Sequence, residues 1–176
     1  NISQERLEDC INSDLANNFG NLCQRTTLFA IKNCDSKIPN KVKFEKEDLL
    51  ILDKFKNNLD LIREKIDNQD INFYMNFIIN LLFETNKYFN DQEPWNKKND
   101  MNRLNTIVYT TLEIIRKISF MLYPIIPNSA LKALGIFDIK ENEINFSSLG
   151  NHNFLDVNKK LNKIDILFKK VEKKND

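Results

Sequence analysis

Only three glycines and four prolines punctuate the 176 residues of this chain. Few positions can therefore take a positive φ or interrupt a helical hydrogen-bond ladder. Long helices joined by short connections suit such a sequence, whereas a sheet-rich sandwich needs many more turn residues. The expected fold class is all-α, and a hydrophobic content of 41% is enough for one compact core.

Apolar spacing locates the helices. Ser3 is a good N-cap followed by Glu5, and a first helix is expected over residues 3–33. Its Leu15, Phe19, Leu22, Cys23, Thr26, Phe29 and Ala30 follow the 3- and 4-residue steps of a one-sided helix. A second helix is expected over residues 45–66, with Leu52, Phe55, Leu59, Ile62 and Ile66 in 3,4 alternation. Asp70 is placed to cap a third, which carries Tyr74, Phe77, Ile78, Leu81, Leu82, Thr85, Tyr88 and Phe89 inward. A polar loop over residues 91–100 leads to a fourth helix over 101–122. There Leu104, Ile107, Val108, Thr111, Ile114, Ile115, Ile118 and Met121 face a core. Pro124 and Pro127 break the chain, and Pro127 suits the first position of a short helix ending at Leu134, with Gly135 as its C′ residue. From Ile136 the pattern decays into an irregular tail. The expected architecture is a helical bundle of four long helices plus a short one in residues 1–135. Residues 136–176 form a C-terminal extension packing back on it.

Several function classes drop out. Apolar runs such as residues 77–83 fall far short of the roughly 20 residues a bilayer span needs, so no membrane role is expected. No charged-then-apolar leader opens the chain, and Cys10, Cys23 and Cys34 are odd in number without Cys-x-x-Cys spacing. With one histidine, they predict neither a disulfide framework nor a zinc site, and a reducing cytoplasmic home fits. The chain opens abruptly at Asn1 without an initiating methionine, and reads as a fragment of something longer. No catalytic set is visible: His152 lies in the polar stretch 150–153 with no nucleophile or carboxylate pattern around it, and there is no glycine-rich phosphate loop. Binding is the expected role. A net charge of +1 gives no broad basic field, so RNA recognition would need a specific pocket. The 21 lysines against 5 arginines, with 27 asparagines, match the codon bias of an AT-rich genome. An arginine here means more than an asparagine.

Two places stand out. At about 100° per residue, Asp14, Asn18, Asn21, Arg25 and Lys32 share a band flanking the buried stripe of the first helix. Asn21 and Arg25 are one turn apart and project side by side. A guanidinium fork and an amide could together read the edge of a planar base; the plainer reading is the wet face of an amphipathic helix. The second place is the loop 92–98, in which the single tryptophan, Trp95, follows Pro94 and precedes Lys97 and Lys98. An exposed aromatic beside positive charge is a stacking platform for an unpaired base. The alternative is an indole plugging a helix junction with its N–H on a carbonyl.

At these places the sequence resembles the anticodon-binding domain of methionyl-tRNA synthetases, a class I family. Residues 11–26, INSDLANNFGNLCQRT, are similar to its N-S/A-D-L-A-N-x-x-G-N-L-x-x-R helix. Residues 88–95, YFNDQEPW, are similar to its Y-x-x-x-x-x-P-W signature. Residues 122–127, LYPIIP, match its L-x-P-x-x-P break, and residues 167–172, LFKKVE, resemble its L-F-x-x-I-E tail, with Lys169 and Lys170 where a proline is frequent. The resemblance implies that Asn21, Arg25 and Trp95 read the cytosine of the CAU anticodon of tRNA(Met), with Lys32, Lys97 and Lys98 as candidate phosphate contacts. It further implies an upstream catalytic domain that attaches methionine to tRNA using ATP and Mg, and no cofactor in this fragment. The alternatives are the anticodon-binding domain of another class I aminoacyl-tRNA synthetase, or a helical protein-interaction module.

Overall fold

The structure is a computed structural model that describes Glu5, Arg6, Asp9 and residues 18–164. Ser3, Asp14 and Leu15 of the expected first helix, and the motif at residues 167–172, lie outside the described residues. From a π turn at Asn18 and Phe19 the chain enters α1 (Gly20–Asn33), which buries Leu22, Cys23, Thr26 and Ala30 as the spacing predicts, and Thr27 besides, while Phe29 is half-buried. Asp35 and Ser36 then take left-handed conformations and turn the chain away.

The expected second helix is two. Its first part, α2 (Lys46–Asn57), opens with a capping box in which Asp48 accepts from the Glu45 N–H at 2.9 Å. Asn58, at φ −107° and ψ 9°, interrupts the helix before α3 (Leu59–Asp67). Its side-chain amide donates to the Lys54 carbonyl at 2.7 Å, a local bond that competes with the helical ladder. The apolar 3,4 alternation runs straight through this interruption, so periodicity could not show it.

Asp70 caps α4 (Ile71–Gln92) by accepting from the Phe73 N–H at 3.2 Å. Asp100 does the same for Arg103 at the head of α5 (Met101–Leu122). Pro127 begins α6 (Pro127–Leu134). Gly135 does not stop α6 in a left-handed conformation. It sits at φ −59° and ψ −23°, the chain continues into a 3-10 turn over Gly135–Phe137, and Asp138 at φ 56° makes the reversal instead. A second turn at that corner lets Ile136 and Phe137 reach the core.

Helix α5 is the axis of the molecule. Leu104 and every residue from Thr106 to Leu122 are buried, including Glu113, Arg116 and Lys117. Its apolar stripe faces the other helices; the segment after α6 covers the remaining side. There Glu113 holds Arg116 at 2.6 Å and accepts from the Leu155 N–H at 2.7 Å. Arg116 donates to the carbonyls of Ser148 and Asn151 at 3.1 and 2.7 Å. Lys117 donates to the carbonyls of Leu149 and Asn151 and lies 3.0 Å from His152 Nδ1. His152 Nε2 in turn meets Asp53 Oδ1 at 3.0 Å, tying α2 into the network. A neutral imidazole with its proton on Nε2 satisfies both contacts, since Nδ1 then accepts from the ammonium. Burial, followed by the Arg116 charge, pushes Lys117 down to about 7. The main chain further on pairs with the connection after α1: Ile38 N–H meets the Lys159 carbonyl at 2.8 Å and Leu161 N–H meets that of Ser36 at 2.8 Å. Among the described residues the Lys37–Lys160 bridge is isolated, and no strand forms.

Candidate nucleic-acid interface

The C-terminus of α4 builds the site. Glu93 ends the helix in the left-handed region, at φ 47° and ψ 58°, and Pro94 begins a single 3-10 turn over Pro94–Asn96. This reversal folds Trp95 back over the last turn of α4. Its ring lies 6.1 Å from that of Phe89 with planes inclined at 54°, and Phe89 meets Phe29 of α1 edge-on at 5.9 Å. Phe89 is fully sequestered, while Trp95 keeps 39% of its surface in solvent. The indole N–H makes no hydrogen bond among the described residues. Trp95 is therefore an exposed shelf laid on a buried ring, not a plug.

Arg25 reaches this shelf from α1. Its guanidinium carbon lies 5.4 Å from the Trp95 ring centroid and 4.8 Å from that of Phe89, within cation–π range of both. Its Nη2 donates to Asn90 Oδ1 at 2.5 Å. The arginine is thus fixed laterally by an amide and vertically by two rings, while remaining exposed.

Asn21, one turn before Arg25, is exposed. With Asn18 and Arg25 it forms one wall of an open groove of about 630 Å³, and Phe83, Asn86 and Asn90 of α4 form the other. Neither Asn18 nor Asn21 uses its side-chain amide in a hydrogen bond among the described residues. The exposed ion pair Lys87–Asp91, 2.5 Å between Nζ and Oδ2, lines the same groove. Asn21, Arg25 and Trp95 are thus brought to one edge of the molecule. Lys97 and Lys98 follow Trp95 after Asn96, and Lys98 is exposed. Lys32 stands apart: it is exposed in the last turn of α1, two turns or about 10 Å along the axis from Arg25.

What holds this edge in register is a buried polar cluster beneath it. Arg103, at the head of α5, grips Asp48 of α2 with two hydrogen bonds of 2.8 and 3.0 Å and reaches Gln92 at 2.7 Å. The Tyr88 hydroxyl donates to the same carboxylate. Burial first, then the Asp48 charge, drives the Tyr88 phenol well above its usual range, so it stays a donor. Both ends of the Trp95 turn are thereby pinned to a third helix. Sequence reasoning assigned Phe89 to the core and singled out neither Asn90, Phe83 nor Asn86. The 83, 86, 90 spacing, which puts these three on one face of α4, was the available signal. Among the described residues no group of histidine, cysteine or acidic side chains could hold a metal ion. No described helix is long and apolar enough to cross a membrane.

Comparison with known proteins decides the family. The profile of the anticodon binding domain of methionyl tRNA ligase matches residues 38–176. The chain belongs to this anticodon-binding family. Methionine–tRNA ligase of Rickettsia conorii is 35% identical over 176 residues, a stretch that takes in 98% of this chain and so includes α1. That of Brucella suis is 36% identical over 148 residues, or 84% of this chain. The crystal structure of Mycobacterium tuberculosis methionyl-tRNA synthetase bound by methionyl-adenylate superposes with a TM-score of 0.84 at 31% identity and covers 95% of the chain. The chain spans roughly a third of these proteins, 35%, 29% and 34% of their lengths respectively. The profile takes in α2 to α6 and the segment packed against α5, and the similarity to the Rickettsia conorii ligase extends over α1 as well.

Proposed function

We propose that this chain reads the first anticodon base of tRNA(Met), the cytosine of CAU, within a cytoplasmic methionine–tRNA ligase. An upstream catalytic domain of that protein would attach methionine to tRNA using ATP and Mg. The observation that carries the reading is the convergence of Arg25, from one helix, and Trp95, from the turn after another, on a single exposed edge. The extension over residues 136–176 serves the same unit, and its stretch from Ser148 to Leu155 covers α5.

In the arrangement described, guanidinium and indole are in contact, and their 5.4 Å separation leaves no room for a base between them. An inserted ring would hold them apart by two van der Waals contacts, roughly 7 Å. The cytosine therefore takes the indole face that Arg25 now covers, and Arg25 swings into the plane of the base. There it donates to the N3 and O2 acceptors, and Asn21 adds a hydrogen bond to the same edge. Uracil offers an N3–H donor where cytosine offers an acceptor, and facing a donor with a donor costs on the order of 1–3 kcal/mol. Specificity then needs no strong net charge, and Lys32, Lys97 and Lys98 position the phosphates.

The test is the affinity of the chain for a panel of anticodon stem-loops at one stated salt concentration. CAU should bind about tenfold to a hundredfold more tightly than UAU. Equal binding of the two would reject base reading at this edge.

A further inference from the structure

The backbone is strained where it enters the Trp95 turn. Six non-glycine residues among those described take a positive φ, and of these only Glu93 stands before a proline. A following proline ring drives its predecessor towards extended backbone. The left-handed Glu93, at φ 47° and ψ 58°, is therefore opposed both by its own Cβ and by Pro94. Its side chain does not hold it there, being exposed and without a hydrogen bond or ion pair among the described residues. The restraint has to come from the residues on either side.

Pro94 on one side is buried, and the Glu93 carbonyl accepts from the Asn96 N–H at 2.9 Å to close the turn. On the other side Gln92, the last residue of α4, accepts from Arg103 Nη2 at 2.7 Å. Arg103 is a firm anchor. It is buried, two bonds tie it to Asp48, and Asp48 is fixed in turn by the Tyr88 hydroxyl and the Glu45 N–H. The far end of the connection meets the same residue: Asp100 donates its N–H to the Lys97 carbonyl at 2.9 Å and accepts from the Arg103 N–H at 3.2 Å. We propose that Gln92 and Arg103 are positioning residues for first-base recognition, their bond holding Glu93 left-handed and so keeping the Trp95 indole on Phe89. Neither residue touches the base. Without the bond Glu93 relaxes towards extended backbone, the indole leaves Phe89 and Arg25, and the shelf has to re-form whenever RNA binds. Affinity then falls with the fraction of chains in which the turn is formed. The inference rests on the assignment of the cytosine to Arg25 and Trp95.

Trp95 is the only tryptophan, so its fluorescence reports the turn in the absence of RNA. The experiment compares the full 176-residue chain with Gln92→Ala, Gln92→Glu, Glu93→Gly and the double variant Gln92→Ala/Glu93→Gly. It reads indole emission, quenching by acrylamide, and affinity for CAU and UAU stem-loops. Gln92→Ala should shift the emission to the red, open the indole to the quencher and weaken CAU binding on the order of tenfold, the strain of one left-handed residue expressed as affinity. Gln92→Glu keeps an acceptor for Arg103 and should retain the original emission. Glu93→Gly removes the strain, because glycine takes a positive φ freely. In that background Gln92→Ala should lose less than about twofold, a coupling between the two positions. The rescue separates positioning from a general loosening of the fold, which an added glycine would worsen. The proposal is overturned if Gln92→Ala leaves emission and affinity unchanged, or if its effect is the same in both backgrounds. If the original chain binds CAU and UAU alike, the first-base reading fails, and the emission series still decides whether the bond holds the turn.

Discussion

The guanidinium of Arg25 lies over the indole of Trp95, 5.4 Å from its ring centroid, although the two residues are separated by three further helices in the chain. Their contact is exposed and lightly held. An exposed cation–π pair is worth about 0.5–1 kcal/mol, so it is readily exchanged for a stacked base.

Removing either partner should therefore affect binding far more than folding. Arg25→Ala is expected to lose about tenfold to a hundredfold in affinity for a CAU stem-loop, with helicity intact and stability changed by no more than about 1 kcal/mol. Trp95→Ala should behave likewise, because its indole is partly in solvent and makes no hydrogen bond among the described residues. Titration of both variants beside thermal melts checks this. An unaltered affinity would strip Arg25 of its role, and a collapse of stability in Trp95→Ala would mean that the indole is structural after all.

The lysines should act without regard to sequence. Lys97→Ala and Lys98→Ala are expected to weaken CAU and UAU binding equally, and each should lower the slope of log affinity against log salt by about 0.7–0.9. Lys32→Ala should do the same if the RNA backbone runs along α1. A change in base preference in any of these variants would contradict a purely positioning role.

The ionic triplet of α5 makes a prediction about stability. Glu113 is wholly buried, pairs with Arg116 and accepts the Leu155 N–H. Glu113→Ala leaves a buried guanidinium without its carboxylate, which costs on the order of 3–5 kcal/mol. Melting should drop by on the order of 10 °C, and hydrogen exchange should rise first over residues 148–155. A small shift in melting would show that the extension docks by its apolar contacts instead.

Acid should loosen the same interface. Burial, then the neighbouring Lys117 charge, holds the His152 imidazole below its ordinary value of 6.5. The folded chain thus binds this proton less tightly than the unfolded chain does. The corresponding stability is complete above the ordinary value and is lost as the pH falls through the lower folded one. Melting temperatures measured from about pH 8 to about pH 5 should fall more steeply in the original chain than in His152→Gln. Parallel profiles would show that His152 does not titrate against Lys117.

Most of the bundle was legible because burial on one side leaves a 3,4 pattern, and α1, α4 and α5 each carry one. The site was legible in part: Arg25 stood out against a lysine-rich background, and Trp95 as the single tryptophan in a polar loop. What escaped was whatever depends on a partner distant in sequence. Glu113, Arg116 and Lys117 would read as a solvated helix face, since the segment that covers them has no periodicity of its own. Phe89 reads as core on spacing alone, and so it is, but the buried ring also forms the floor under Trp95. The interruption at Asn58 and the right-handed Gly135 were hidden for a more local reason. In each case one side-chain or main-chain bond outweighs a propensity of similar size.

The clasp on α5 has an implication for which changes the extension can absorb. Glu113, Arg116 and Lys117 recognise it mainly through carbonyls and an N–H of its main chain, groups that a substitution does not alter, and otherwise through the Ser148 hydroxyl and the His152 imidazole. An exposed side chain there, such as that of Asn153, can be exchanged with little consequence for docking. An insertion or deletion of a single residue between Ser148 and Leu155 is another matter. It would rotate the peptide groups out of reach and strand three charges in the interior together, so this segment tolerates change in chemistry but not in length.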